Sequence, residues 1–443
     1  MAYAGTLRPP ERAAKLGHRS IISNRLVVKQ VSRFYPACKI AAESTPPALC
    51  WEPLPTEDST PFKRICVVDG SFSVVRVHNG MVGYVKTAAL NIDMAKLGML
   101  DARQPHPWLL RDALDKDAQV ITTVIPLDGI VSEGRTAVET FCRSLYDAMN
   151  KEYEGKLFAT LQWLFHRQWS GSPTHSPSFS CPHCGEMCDG FKPGRIKKCC
   201  SSCGHEVLLT DATGLPEVFI KSQSGEVIAN AYMHISEALL MMTMIREALE
   251  KGQESYGDTL FMLDGPLAFY QGFYRFTDAC RALMQHYKEQ GIPLYLCGIE
   301  KSGAIHSHVA RLAKDDNTSD RSFCFLSHDY TEENIRKRAS RKQPYGLRPN
   351  WGEKLGVKID GQTCILVNIP VGLYDESEDA PFPCDLMGSD RILSAIPGLV
   401  CRLYSHALFP IAAVNDKASI SIIPSRKILT QFTADMLNTA IRN

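Results

Sequence analysis

Short apolar runs that end in Asp-Gly punctuate this chain. Arg64 to Asp69 (RICVVD) is β-branched and closes on Asp-Gly, the pattern of a buried strand with a carboxylate at its tip. Phe72 to Val77 and Val82 to Ile92 read as two more strands joined through His78-Asn79-Gly80, and Asn-Gly is preferred two-residue hairpin chemistry. Residues 101 to 120 are polar and loop-like. From Arg135 to Tyr153, Val138, Phe141, Leu145 and Met149 recur three or four apart, which predicts a helix with Glu139 off its apolar stripe. Lys156 to Trp169 predicts a second helix, and Ser170 to Pro177 a linker. Beyond it, His234 to Lys251 is helical, and Thr259 to Asp264 (TLFMLD) is a second apolar strand ending in Asp-Gly. Phe276 to Gln290 is an amphipathic helix closed by Gly291, and Ile292 to Ile299 a strand that delivers Glu300-Lys301-Ser302-Gly303. Strand, helix, strand implies a parallel crossover. Leu239 to Met244 and Leu157 to Phe165 read as core or dimer interface. Residues 1 to 60, with their paired prolines, read as an extended arm.

Composition narrows the class. The 443 residues are 44% hydrophobic and 22% charged, ordinary globular usage that excludes wholesale disorder. Lys plus Arg number 49 against 48 Asp plus Glu, so any polyanion site must be local. There is no apolar run of membrane-spanning length and no apolar secretion core behind Met1, so the expectation is a soluble cytoplasmic protein without membrane contact. No G-x-x-x-x-G-K-[ST] loop is present, so an NTPase would have to be another protein.

Sixteen cysteines then need a reason. Ten are scattered, mostly in apolar company, as reduced core hydrophobes are. Six crowd between 181 and 203, where Cys181, Cys184, Cys200 and Cys203 make C-x2-C-x15-C-x2-C, the spacing at which two thiolate knuckles close a tetrahedral zinc site. Four-thiolate zinc is coordinatively closed, so it folds a module rather than doing chemistry. Cys199 is an alternative to Cys200, and His183, Cys188 and His205 are further ligand types. The chain thus divides into an arm (1–60), a core (61–170), an inserted zinc ribbon (171–210) and the rest of the core (211–443).

Two strand-tip aspartates, each followed by Gly, are the second chemical signal. If their strands neighbour each other, Asp69 and Asp264 converge, and a helical Glu139 supplies a third hard oxygen ligand. Such a set suits Mg2+ or Mn2+ ions that clamp a phosphodiester for attack by water. Two basic clusters offer a local path for a polyanion. One is Arg336, Lys337, Arg338, Arg341, Lys342 and Arg348, with Tyr345 and Trp351 interleaved as stacking surfaces. The other, inside the zinc module, is Lys192, Arg195, Lys197 and Lys198.

At these residues the chain resembles the NurA-domain nucleases. The matching pieces are VVDGS at Asp69, the helix with Arg135 and Glu139, LDGPL at Asp264, and GIEKSG at Gly298 to Gly303, in the family's order over roughly residues 60 to 430. The resemblance implies an α/β fold with an RNase H-like mixed sheet flanked by helices, here carrying the zinc-ribbon insert. It also implies manganese- or magnesium-dependent cutting of DNA, often as an exonuclease, a homodimer, and partnership with a HerA-type hexameric ATPase in DNA repair or antiviral defence. Asp69, Glu139 and Asp264 match the family's metal ligands, and Lys301 lies in its EKSG-like turn, where it would meet the scissile phosphate. The family's C-terminal Tyr-Pro and Ala-His pattern is replaced by Phe409-Pro410 with no following His; Lys417 takes the corresponding place, with His406 just upstream as the alternative. That departure sustains an alternative from another class, a catalytically weak adaptor whose zinc module docks the ATPase or nucleic acid.

Overall fold

The computed structural model describes residues 21–33, 49–56, 61–95, 118–269, 271–314, 318–336, 349–373, 383–402, 404–420 and 425–438. Two compact units are distinguished, 1–49 and 50–443. In the first, Arg25–Val31 is a short helix capped by Asn24, whose side chain accepts from the Leu26 amide at 3.0 Å, so the expected extended arm is helical in part.

The second unit is built on a nine-stranded sheet. Its strands are β1 (Glu52–Pro53), β2 (Arg64–Val77), β3 (Gly80–Asp93) and β4 (Ala118–Pro126), and later β9 (Thr259–Asp264), β10 (Tyr295–Glu300), β11 (Ser322–Phe325), β12 (Gly352–Lys358) and β13 (Cys364–Pro370). The four short strands between, β5 (Phe179–Ser180), β6 (Met187–Cys188), β7 (Lys197–Cys199) and β8 (Glu206–Leu208), pair within the cysteine module. The large sheet runs β1-β11-β12-β13-β10-β9-β2-β3-β4. Strands β2, β3 and β4 form an antiparallel meander, and β9 and β10 lie parallel to β2, which is the RNase H-like order. The expected Arg64–Asp69 and Phe72–Val77 strands are one 14-residue strand, because Gly70 stays in the β2–β3 ladder opposite Thr87.

Alternation along β2 sends its side chains into two cores. Cys66 and Val68 join one, with helices α1 (Ala137–Lys151), α2 (Lys156–Phe165), α3 (Gly225–Lys251) and α4 (Tyr274–Glu289). Ile65 and Val67 join the other, with Ile411 and Val414 of helix α5 (Phe409–Ala418). Both sheet faces are thereby covered by helices. Helix α3 begins at Gly225, nine residues before the apolar pattern suggested, and Leu239 to Met242 at its centre are all 0% exposed, which makes them core. The α4 crossover from β9 to β10 is parallel, as the strand–helix–strand pattern requires.

Residues 101–117 lie outside the described set. The expected linker at Ser170 to Pro177 is pinned instead: the Thr174 amide donates to His166 O at 2.8 Å and the Ser176 amide to Phe191 O at 2.9 Å. Phe179, Cys181, Cys188 and Phe191 of the cysteine module belong to the α1–α4 core, so the insert is packed onto the sheet's helices. Among the described residues no helix is long and apolar enough to cross a membrane.

Candidate active site and cysteine module

Register places the two aspartates side by side. The parallel β2–β9 pairing runs from Arg64 opposite Thr259 to Val68 opposite Leu263, and the next residues are Asp69 and Asp264. Both alternate onto the face that holds α5, since Ile65, Val67, Leu260 and Met262 all belong to that core. In β10 Ile299 is opposite Asp264, so Lys301 emerges at the same edge. Lys301 Nζ sits 2.7 Å from Asp264 Oδ2. Two glycines let the tips close up. Gly265 has φ +142°, and a Cβ at Gly298 would lie 2.4 Å from Gly265 O, so the GIEKSG strand needs a bare backbone there.

A further carboxylate close enough to act on Asp69 is that of Glu237, from α3. It reaches from the opposite face of the sheet over Gly70, where a Cβ would stand 2.8 Å from Glu237 Oε1 and 2.9 Å from Met233 Cγ. His234 Nδ1 holds Glu237 Oε2 at 3.1 Å. Glu139 is drawn elsewhere by its own helix terminus. As the third residue of α1 it completes a capping box, Oε2 accepting from the Thr136 amide at 2.8 Å and the Thr136 hydroxyl at 2.9 Å. Its carboxylate, His183 and His205 offer ligand atoms within 4.8 Å of one another.

Charge at the strand tips is poorly compensated. Burial first, then the like charges of Asp264 and Glu237, push the Asp69 carboxyl up to about 8, against the Gly70 amide, which donates to Oδ1 at 2.7 Å, and against Lys301. Burial also raises Glu237, with His234 opposing. Among the described residues only the four cysteines and the Glu139 set bring three or more ligand-type side chains within 4.8 Å of one another, so the strand-tip carboxylates do not close on one point. Their hard oxygens suit Mg2+ or Mn2+. Next to them, Glu300 accepts from Lys354 and from Asn368 Nδ2 (2.9 Å) in a network that ties β10 to β12 and β13.

Lys417, the penultimate residue of α5, precedes Ala418, whose carbonyl accepts from Ser71 Oγ two residues beyond Asp69. His406 receives the Cys364 amide at Nδ1, 3.1 Å away. Trp351 is 1% exposed and packs in the α1–α4 core, so it is no stacking surface; its predicted exposure failed because Gly352 continues directly into the central β12. Arg336 ends a π-helical turn, while Lys337, Arg338, Arg341, Lys342, Tyr345 and Arg348 lie outside the described residues.

In the cysteine module Cys181, Cys184, Cys200 and Cys203 converge, with Sγ–Sγ distances of 3.8 Å for Cys181–Cys203 and Cys184–Cys200. A tetrahedron with Zn–S bonds of about 2.3 Å spaces its sulfurs about 3.8 Å apart, so the four thiols fit zinc as they stand. Amides of Cys203 and Ser202 draw the Cys200 thiol down to about 6, toward the ligating thiolate. Cys199 is exposed and outside the set. Lys192, Arg195, Lys197 and Lys198 together line a hollow of about 640 Å3 on the module. Two of the four are partly engaged: Lys197 pairs with Glu206 at 3.2 Å, and Lys198 lies 5.0 Å over the Phe191 ring.

Fold and site define an α/β protein with an RNase H-like mixed sheet, acidic side chains at the carboxyl tips of parallel strands and an inserted four-cysteine module. No family model matches the chain, and no curated protein matches it. Among solved structures it is similar to the NurA nuclease from Sulfolobus solfataricus, at 12% identity and TM-score 0.36, over 94% of this chain and 98% of that one. It is also similar to a NurA crystallised with manganese (10% identity, TM-score 0.31, 94% and 96% covered) and to a NurA bound to dAMP and manganese (11%, 0.30, 97% and 98%).

Proposed function

We propose that the protein is a divalent-metal-dependent deoxyribonuclease that hydrolyses DNA phosphodiesters at the β2–β9–β10 tips. The observation that carries this reading is the pair Asp69 and Asp264 on adjacent parallel strands, with Asp69 raised to about 8 by burial and by like charge. A buried cluster of carboxylates at strand ends is the electrostatic signature of a cation site. Asp69, Asp264 and Glu237 would hold the metal, Mn2+ or Mg2+; when bound, it supplies Lewis-acid charge and lowers the pKa of its water.

The chain's own groups then have separable tasks. Lys301 exchanges its contact with Asp264 for the incoming phosphate and thereby screens the non-bridging oxygens. Asp69 gives up the proton that its surroundings favour when the cation arrives. Lys417, near the Ser71 tether, stands where the sequence resemblance puts a C-terminal histidine. The hollow lined by Lys192, Arg195, Lys197 and Lys198 supplies a basic surface for phosphates. With the sequence resemblance as support, we place the activity in cytoplasmic DNA end processing or defence, as an exonuclease dimer worked by a HerA-type ATPase, with structural zinc in the ribbon.

A linear duplex incubated with the full chain and Mn2+ tests this. Degradation that disappears in Asp69→Asn and Asp264→Asn supports the enzyme. An inert wild type supports the adaptor reading, which the Lys301–Asp264 ion pair favours by neutralising one strand-tip charge without a metal.

A further inference from the structure

One ligand-type cluster has no part in the strand-tip chemistry. His183 lies between the paired cysteines of the first knuckle, His205 two residues after the last cysteine, and Glu139 projects from the first turn of α1. Their ligand atoms fall within 4.8 Å of one another, and the two imidazoles stack with centroids 4.5 Å apart and planes inclined by 14°. All three border a hollow of about 290 Å3 that Arg135 and Arg143 also line.

We infer that Glu139, His183 and His205 form a second transition-metal site, of the Zn2+ class, that clamps the cysteine module to the N-terminus of α1. Two imidazoles and a carboxylate are a borderline donor set found in three-ligand zinc sites with an open fourth position, unlike the all-oxygen set at the strand tips. Tetrahedral bonds of about 2.0–2.1 Å bring donor atoms to about 3.4 Å, so metal binding must turn the imidazoles out of their near-parallel stack until both ring planes contain the ion. That rotation is available because His205 is exposed and follows Gly204, at φ +74°. Glu139 needs no searching: the Thr136 amide and hydroxyl already fix Oε2, which is the kind of outer tether that orients metal-bound carboxylates. The fourth position opens into the hollow, where Arg135 and Arg143 favour an anion or a metal-bound water.

The full chain is equilibrated with Zn2+ in excess Mg2+, freed of loose metal by gel filtration and assayed by elemental mass spectrometry. Two zinc ions per chain are expected in the wild type, and one in Glu139→Gln and in the His183→Ala/His205→Ala double variant. In the same variants loaded with Co2+, the sulfur-to-cobalt absorption of the four-cysteine site should be unchanged, which separates loss of this site from loss of the fold. A single zinc in the wild type, retention of both ions by the variants, or loss of the sulfur-to-cobalt bands together with the second ion would each overturn the assignment.

Discussion

The four-cysteine module and the strand tips gather their candidate ligands by opposite means. The module draws its four from residues 181 to 203, through two knuckles whose sulfurs already stand 3.8 Å apart. The strand tips draw Asp69, Glu237 and Asp264 from two strands and a helix on both faces of the sheet, and these do not close to 4.8 Å. Thiols can meet as neutral groups before metal arrives, whereas carboxylates repel one another and are held by register against that repulsion. A closed, local site stabilises a fold; an open, strained one leaves room for a substrate.

The largest expected effect would break this contrast outright. Asp69→Asn or Asp264→Asn should cut Mn2+-dependent nuclease activity by more than about 100-fold, since even outer-shell partners of metal ligands cost about 10–100-fold. Rates within a factor of a few of wild type would leave the strand tips as scaffold. Next, Glu237→Gln should lower activity by about 10–100-fold, while the corresponding change at Glu139 should register in zinc content. A reversed pattern would return the third carboxylate to α1. A subtler change sharpens the geometry: Gly70→Ala places a methyl 2.8 Å from Glu237 Oε1 and should displace that carboxylate. A fall in kcat of about 10-fold is expected for a shift well under an ångström, given about 100-fold for a full one.

What could be read from the chain follows the same division. The cysteine spacing is a local quantity, and four of the six crowded cysteines converge. The strand-tip pair was legible because RICVVD-G and TLFMLD-G each announce a strand and its end, and the parallel crossover made them neighbours. Glu139 carries two readings at once, since an acidic residue early in a helix looks like a ligand and Thr136-x-x-Glu139 is also a capping-box signature. Glu237 had a signal of its own, a lone acid within ISEALLMM, where burial of an unpaired carboxylate demands a partner. Which partner depends on α3 crossing β2 at Gly70, a tertiary fact that no local pattern carries. Trp351 shows the same limit: aromatic residues beside basic ones look like a binding surface until the strand they enter turns out to be central.

The smallest expected effect concerns stability without divalent metal at the tips. An ordinary aspartate titrates near about 3.9, and in the folded protein Asp69 is raised to about 8. Between these values the folded state keeps a proton that the unfolded chain has released. Unfolding free energy must therefore fall as pH rises through that window, with the contribution complete below the lower value and gone above the upper. Glu237, also raised, adds in the same direction. Urea midpoints of the Mg2+- and Mn2+-free protein should be lower at about pH 9 than at about pH 6, and Asp69→Asn, a permanent mimic of the protonated acid, should flatten part of that slope. Because a cation must displace the same proton, apparent Mn2+ affinity should tighten as pH rises toward about 8. An Asp69→Asn variant with the wild-type slope would mean that the repulsion among the strand-tip carboxylates is already neutralised, and with it the electrostatic difference between this site and the thiol cluster.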